Sequence, residues 1–173
     1  MRRLLVLLAT SVAGVLSAPL AAADAPTLIT GGGTGTFAAD LDGDGDIDGS
    51  HFGLGASFSR GSVRGHFMCQ MAGNADILGL PLMQVEGAVS GGSAAPGTGT
   101  ALLTGNASVN LGNGTKFENV PFEVKLWSGG PGAGHLQLTV IGAFDGVPGD
   151  TKPGNGNYDL PSETVATGQI SIR

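Results

Sequence analysis

The sequence predicts an all-β domain of about eight antiparallel strands, closed as a meander barrel or, alternatively, stacked as a two-sheet sandwich. Three observations carry this. Apolar residues recur at every second position through most of the chain, the period of a half-buried strand. The 32 glycines fall mostly between those runs, with no collagen-like period, so they read as turns and close-packed strand positions. No stretch of useful length carries the three-to-four-residue apolar spacing of a helix.

A short first strand is expected near Gly33 to Ala38. From His51 to Phe58, the residues Phe52, Leu54, Ala56 and Phe58 share one face. After the turn Ser59-Arg60-Gly61-Ser62, Val63, Gly65, Phe67, Cys69 and Met71 alternate with polar neighbours, which makes a hairpin. Met83, Val85, Gly87 and Val89 form the next inner face, and Gly91 to Gly97 reads as a break. Thr100 to Leu111 is a long strand with Ala101, Leu103, Gly105, Ala107, Val109 and Leu111 inward. Asn113-Gly114 supplies a turn residue pair that tolerates positive φ. Phe117 to Trp127 returns with Phe122, Val124 and Leu126 inward, and Pro121 marks an edge or a bulge. The Gly-rich turn 129–134 leads to Leu136, Leu138 and Val140. A polar loop from Asp145 to Ser162 precedes a last strand with Gly168, Ile170 and Ile172 on one side, pairing with the first. Consecutive hairpins favour closure, which removes exposed edges.

Residues 1–23 are expected to be a signal peptide. Arg2 and Arg3 precede the apolar run Leu4 to Leu16, and Ala21-Ala22-Ala23 is a small-residue cleavage signal before Asp24. The run is too short for a good membrane anchor. The expected product is a secreted or periplasmic single domain, residues 24–173, and a monomer. Without Arg2 and Arg3, six basic residues of the original 8 face 14 acidic ones, a net charge of −8. That charge opposes binding to nucleic acid or to anionic membrane surfaces and suits cation binding. Cys69 is the only cysteine, so no intrachain disulfide is available; it reads as a small buried hydrophobe.

Residues 40–51 read Asp-Leu-Asp-Gly-Asp-Gly-Asp-Ile-Asp-Gly-Ser-His. Five carboxylates at alternate positions of a glycine-broken loop repel one another unless a cation lies among them. Counted from Asp40, the first, third and fifth positions are Asp40, Asp42 and Asp44; Gly45 is sixth, Asp46 offers the seventh carbonyl, Ile47 plugs the loop and Asp48 is ninth. This resembles a degenerate EF-hand or dockerin-type calcium loop. The twelfth residue departs, being His51 where a bidentate carboxylate is needed, and a nitrogen ligand suits calcium poorly. Strands, not helices, flank it. The expectation is a weak structural Ca2+ site, with a Kd of about 10⁻⁴–10⁻³ M. Asp145, Asp150, Asn155, Asn157 and Asp159 in the second polar loop either complete that site, form another, or simply make turns.

Signals for catalysis are thin. No nucleophile elbow, zinc-protease helix or phosphate loop is present, and His66 and His135 fall on outward faces. Trp127, the single tryptophan, points away from Phe122, Val124 and Leu126; it either stacks on a sugar or partner or packs under a loop.

The segments GSVRGHFMCQ at 61–70, TALLTGNASVNLGNGTKFENVPFEVKLWSGGPGAGHLQLTVIG at 100–142 and SETVATGQISIR at 162–173 resemble a class of uncharacterised secreted bacterial β-domains, found alone or after choice-of-anchor surface domains. The resemblance implies a β fold and an extracellular or envelope setting, and brings no catalytic residues. The function expected is therefore a non-enzymatic domain with a structural calcium loop, serving structure or recognition of a protein or glycan at the envelope. The alternative is a small barrel carrying an apolar ligand in its lumen; a secreted hydrolase comes third.

Overall fold

The alternation is realised as one antiparallel sheet that closes on itself. A computed structural model describes residues 25–41, 45, 48–77 and 80–173, with the backbone alone at 72–77 and 80–82. The expected signal peptide, and Asp42, Asp44 and Asp46 of the acidic loop, lie outside the described residues. The strands are β1 (Thr27–Thr36), β2 (Gly49–Ser59), β3 (Ser62–Ile77), β4 (Leu80–Ala95), β5 (Thr100–Asn110), β6 (Lys116–Trp127), β7 (His135–Val140), β8 (Tyr158–Asp159) and β9 (Glu163–Ile172). Each strand from β1 to β7 pairs with the next, β9 pairs with both β7 and β1, and β8 adds a two-residue rung to β7. The ring of hydrogen bonds is complete, so a second, stacked sheet does not arise.

The period-two pattern sorts side chains as expected. Phe52, Leu54, Phe67, Cys69, Met71, Met83, Val85, Leu103, Val109, Phe122, Val124, Leu126, Leu136, Leu138 and Val140 are buried in one core. Each such side chain contributes roughly 1.5–3 kcal/mol by leaving water. Phe67 and Phe122 reach across the interior from β3 and β6 and stack with ring centroids 5.5 Å apart. Outward positions of the same strands carry Arg64, His66, Glu86, Glu123 and Lys125, the reverse of a lipid-facing barrel, whose apolar band points outward. No helix among the described residues is long and apolar enough to cross a membrane.

Four details differ from the sequence expectation. β1 begins at Thr27, because a row of glycines and threonines can pair on both sides, with β2 and with β9, without needing apolar side chains. Gly91 to Ala95 does not break β4; the pairing with β5 absorbs the glycines as a bulge between Val89 and Gly91 and runs on to Ala95. The bulge anticipated at Pro121 lies in β6 just before it, with Asn119 at positive φ and a register shift opposite Ala107 to Val109. In the β5–β6 turn Gly112 and Gly114 take the positive φ, while Asn113 accepts the Thr115 amide at 2.9 Å through Oδ1.

The ring closes by an unusual seam. β7 and β9 pair directly only at His135 with Thr164 and Leu136 with Glu163. Beyond that point the 128–134 turn takes the place of β7. The Gly129 amide donates to Ile170 O at 2.9 Å and the Ile170 amide returns to Gly129 O at 2.9 Å, while Gly132 donates to Val165 O and Val165 to Gly134 O. A segment that reads as a plain turn is thus part of the wall.

Because the strands run up and down in order, connections alternate between two ends. One end carries the β1–β2 loop with the Asp40–Asp48 run, the β3–β4 turn, the Asn113 turn and the long 141–157 loop. The other carries the Arg60–Gly61 turn, the Pro96–Thr98 turn, the 128–134 turn and Arg173.

Candidate functional site

Among the described residues, the end holding both polar loops gathers Asp40, Asp48, Asp145, Asp150 and Asp159. The β1–β2 loop is anchored where it leaves the sheet, the Phe37 amide donating to Asp48 O at 2.9 Å. Asp40 and Asp48, the first and ninth positions of the predicted calcium loop, both accept loop amides: Gly45 N–H donates to Asp40 Oδ2 at 2.9 Å, and Leu41 N–H donates to Asp48 Oδ2. The loop is therefore curled with these two carboxylates turned towards its own backbone. Asp48 is fully buried and Asp40 half-buried. Asp42, Asp44 and Asp46 lie outside the described residues. His51 sits within β2, paired with Thr34 and Gln70, and is exposed on the outer face, so the twelfth position continues the strand and does not fold back.

The second polar loop lies beside the first. Gly149 leaves room between the loops: a Cβ there would press on the Tyr158 hydroxyl at 2.7 Å and touch Leu41 Cδ1 at 3.7 Å. That hydroxyl donates to Pro148 O at 2.9 Å. Burial first, and then the negative charges of Asp150 and Asp48, push the Tyr158 phenol up. The loop holds itself with its carboxylates. Asp145 accepts the amides of Gly154 at 2.7 Å and Gly156 at 3.0 Å. Asp150 accepts those of Gly146 at 2.8 Å, Lys152 at 2.9 Å and Asp159 at 3.2 Å. Asp159 binds Thr139 Oγ1 at 3.0 Å and Asn155 Nδ2 at 2.6 Å. The turn-making reading of these residues is the one the contacts support.

Partial burial alone would raise the Asp150 carboxyl, but the amides of Gly146, Lys152 and Asp159 outweigh it and hold it below the ordinary value of 3.8. A carboxyl lowered in the fold stabilises above its ordinary value and loses that contribution as pH falls through the folded one. Asp150→Asn is thus expected to loosen the loop at neutral pH, measured as faster hydrogen exchange at Gly146, Lys152 and Asp159. Unchanged exchange would show that the carboxylate does not order the loop.

A third group of polar side chains lies inside the wall, and the sequence reading passed over it. Glu163 and Ser50 are 2% and 3% exposed, and Ser50 Oγ donates to Glu163 Oε2 at 2.5 Å. Cys69, fully buried, is close enough for Glu163 and Ser50 to act on its thiol. Gly35 leaves the space Glu163 occupies, since a Cβ there would collide with its carboxylate. Burial pushes Glu163 up to about 7, against the hydrogen bonds from Ser50, and burial followed by the Glu163 charge pushes the Cys69 thiol well up. A thiol in this state is not a nucleophile. Alternation did hold the signal: Ser50 is in phase with Phe52 and Leu54, and Glu163 with Val165.

On the outer face, His66 Nε2 lies 3.3 Å from Glu86 Oε1, both about half exposed on a flat strand surface. Trp127 closes the end of β6. It is 36% exposed at the end of β6, edge-to-face with His135 at a centroid distance of 6.5 Å.

No protein-family model matches the chain, and neither does any curated protein or solved structure.

Proposed function

We propose that the chain is an exported, non-enzymatic β-domain of the cell envelope or extracellular space, serving structure or recognition, whose 40–51 loop takes a structural calcium ion. The observation that carries the calcium reading is the curled loop: Asp40 and Asp48, the first and ninth motif positions, both accept amides from within it. Asp40, Asp42 and Asp44 would supply carboxylates, Asp46 a carbonyl and Asp48 a carboxylate directly or through water, an all-oxygen set suited to a hard cation. A divalent ion there would relieve the repulsion of a pole that also holds Asp145, Asp150 and Asp159. With His51 committed to the outer face of β2, no twelfth ligand closes the site, which supports weak binding and a stapling role over a sensing one.

The filled interior weighs against the carrier reading. Phe67, Phe122, Met71, Met83, Leu103 and Leu138 are each at most 1% exposed, and the described depressions open on the outer surface. A hydrolase gains no support either, since the buried Ser50–Glu163 pair is out of reach of substrate. The export and envelope setting rests on the sequence features of residues 1–23 and on the likeness to secreted bacterial β-domains.

Calorimetric titration of residues 24–173 tests the calcium site. Calcium heat with a Kd of about 0.1–1 mM is expected, and its loss in Asp40→Ala with Asp44→Ala. No heat from the unmutated domain, or identical heat from the variant, would overturn the assignment.

A further inference from the structure

Two Asn-Gly pairs occur in the chain, Asn113-Gly114 in the β5–β6 turn and Asn155-Gly156 in the long polar loop, and the fold bonds them differently. Asparagine followed by glycine is the pair at which a chain attacks itself most readily. With no side chain on the second residue, its backbone nitrogen can reach the asparagine Cγ. The reaction needs an electrophilic Cγ carbonyl, a free attacking nitrogen and a free leaving Nδ2. The first is met at both places. Thr115 N–H donates to Asn113 Oδ1 at 2.9 Å, and Asn157 N–H donates to Asn155 Oδ1 at 2.8 Å. Each amide thus points at the oxygen on which negative charge develops during attack.

The nucleophile and the leaving group separate the two pairs. Gly156 N–H donates to Asp145 Oδ2 at 3.0 Å, and Asn155 Nδ2 donates to Asp159 Oδ2 at 2.6 Å. Attack at Asn155 would break both bonds, and the Asp145 charge opposes loss of the Gly156 proton that makes the nitrogen nucleophilic. Neither Gly114 N–H nor Asn113 Nδ2 has a hydrogen-bond partner among the described residues. A Cβ on Gly114 would meet nothing within 4 Å, so the turn has room to close the ring. All four residues are exposed, so bonding and not exposure sets them apart.

We infer that Asn113 is a site of spontaneous covalent modification, converting to aspartate and isoaspartate in the folded domain, and that Asp145 and Asp159 protect Asn155 from the same reaction. Gly114 N, its proton lost to water, forms a bond to Asn113 Cγ. The Cγ–Nδ2 bond breaks, Nδ2 takes up a proton and leaves as ammonia, and a cyclic succinimide remains. Water then opens the ring. Cleavage of the Cγ–N bond gives aspartate; cleavage of the backbone C–N bond gives isoaspartate, in which the chain runs on through Cγ. Water is the only co-reactant. Either product adds a carboxylate to the end that carries the 40–51 loop. Isoaspartate also inserts a methylene into the turn that the Leu111 N–H closes on Thr115 O at 3.0 Å. The inference is independent of the calcium and recognition readings.

The test is peptide mapping by mass spectrometry after incubation in mildly alkaline buffer, with the protein folded and in guanidinium chloride, for the parent and for Asp145→Ala. In the denatured chain both asparagines are expected to convert at the same rate, since each precedes a glycine. In the folded parent Asn113 should convert roughly tenfold or more faster than Asn155, because one hydrogen bond to a carboxylate already accounts for about that factor. Asp145→Ala frees the Gly156 amide and should speed Asn155 several-fold while leaving Asn113 unchanged. Equal rates in the folded parent, faster conversion at Asn155, or an Asn113 that converts only when denatured would overturn the inference. An Asn155 rate that Asp145→Ala does not change would overturn the protective role given to Asp145. The comparison within the parent decides the site even if the variant fails to fold.

Discussion

The domain is expected to lose stability as the pH rises from about 5 to about 7, and Glu163→Gln to abolish that loss. Glu163 is enclosed by Ser50, Cys69 and the Gly35 backbone, and burial raises its folded value to about 7 from an ordinary 4.5. The fold thus favours the protonated acid. Below about pH 4.5 both the folded and the unfolded chain hold the proton, and stability is at its highest. Between 4.5 and 7 the unfolded chain releases it while the folded one does not, so each pH unit costs up to about 1.4 kcal/mol. Above 7 both are ionised and the profile levels, having lost about 3 kcal/mol. For a domain of this size that is roughly 6–12 °C in melting temperature. Asp150, lowered in the fold, acts in the opposite direction at more acidic pH, so a stability maximum near pH 4–5 is expected. Thermal melts of the parent and of Glu163→Gln from pH 4 to 8 check this. A parent profile that is flat, or one that rises from pH 5 to 7, would show that Glu163 is not held neutral by the interior.

Gly168→Val is expected to be the most damaging single change in the wall, costing on the order of 3–5 kcal/mol. Gly168 in β9 and Gly33 in β1 are register partners, at φ 78° and 147°. A Cβ on Gly168 would lie inside the radius of Gly32 O and against the Gly33 Cα; one on Gly33 would strike Thr167 O in return. The neighbours that must yield are backbone, and the positive φ adds strain that no rotamer relieves. Gly55 is the control. It lies in β2, has no positive φ, and a Cβ there meets nothing within 4 Å. Gly55→Ala should leave stability unchanged or raise it by about 0.5–1 kcal/mol, by restricting the unfolded chain. Chemical denaturation of the two variants separates a packing requirement at the β1–β9 contact from a general intolerance of side chains on a glycine-rich sheet.

Much of this architecture was legible because a strand in a closed sheet repeats a single rule. Phe52, Phe67, Val85, Leu103, Val124 and Leu138 are inward because period two leaves them no alternative once one face is buried. What the pattern could not carry is pairing that involves few apolar side chains. Hydropathy places the start of β1 six residues late because Thr27 to Gly32 is held by backbone bonds to β2 and β9, which leave little trace in it. The 128–134 turn was recognised as a turn, but its exchange of hydrogen bonds with Val165 and Ile170 depends on residues more than thirty positions away. The Ser50–Glu163–Cys69 group was hidden for a related reason: its members lie in β2, β9 and β3, and only closure of the ring brings them together. The acidic loop was the reverse case. Its spacing named a chemistry at once, and the fold adds the curl between Asp40 and Asp48 and the proximity of the Asp150 loop through Leu41 and Tyr158.

The calcium staple is tested most directly by melting residues 24–173 in a chelator and in millimolar calcium or magnesium. At about 1 mM calcium and a Kd of ~0.1 mM, linkage gives roughly 1.4 kcal/mol of stabilisation, a rise of about 3–6 °C. The account predicts that rise with calcium, a smaller one with magnesium, and none in Asp40→Ala with Asp44→Ala. Coincident melting curves in chelator and in calcium would contradict it.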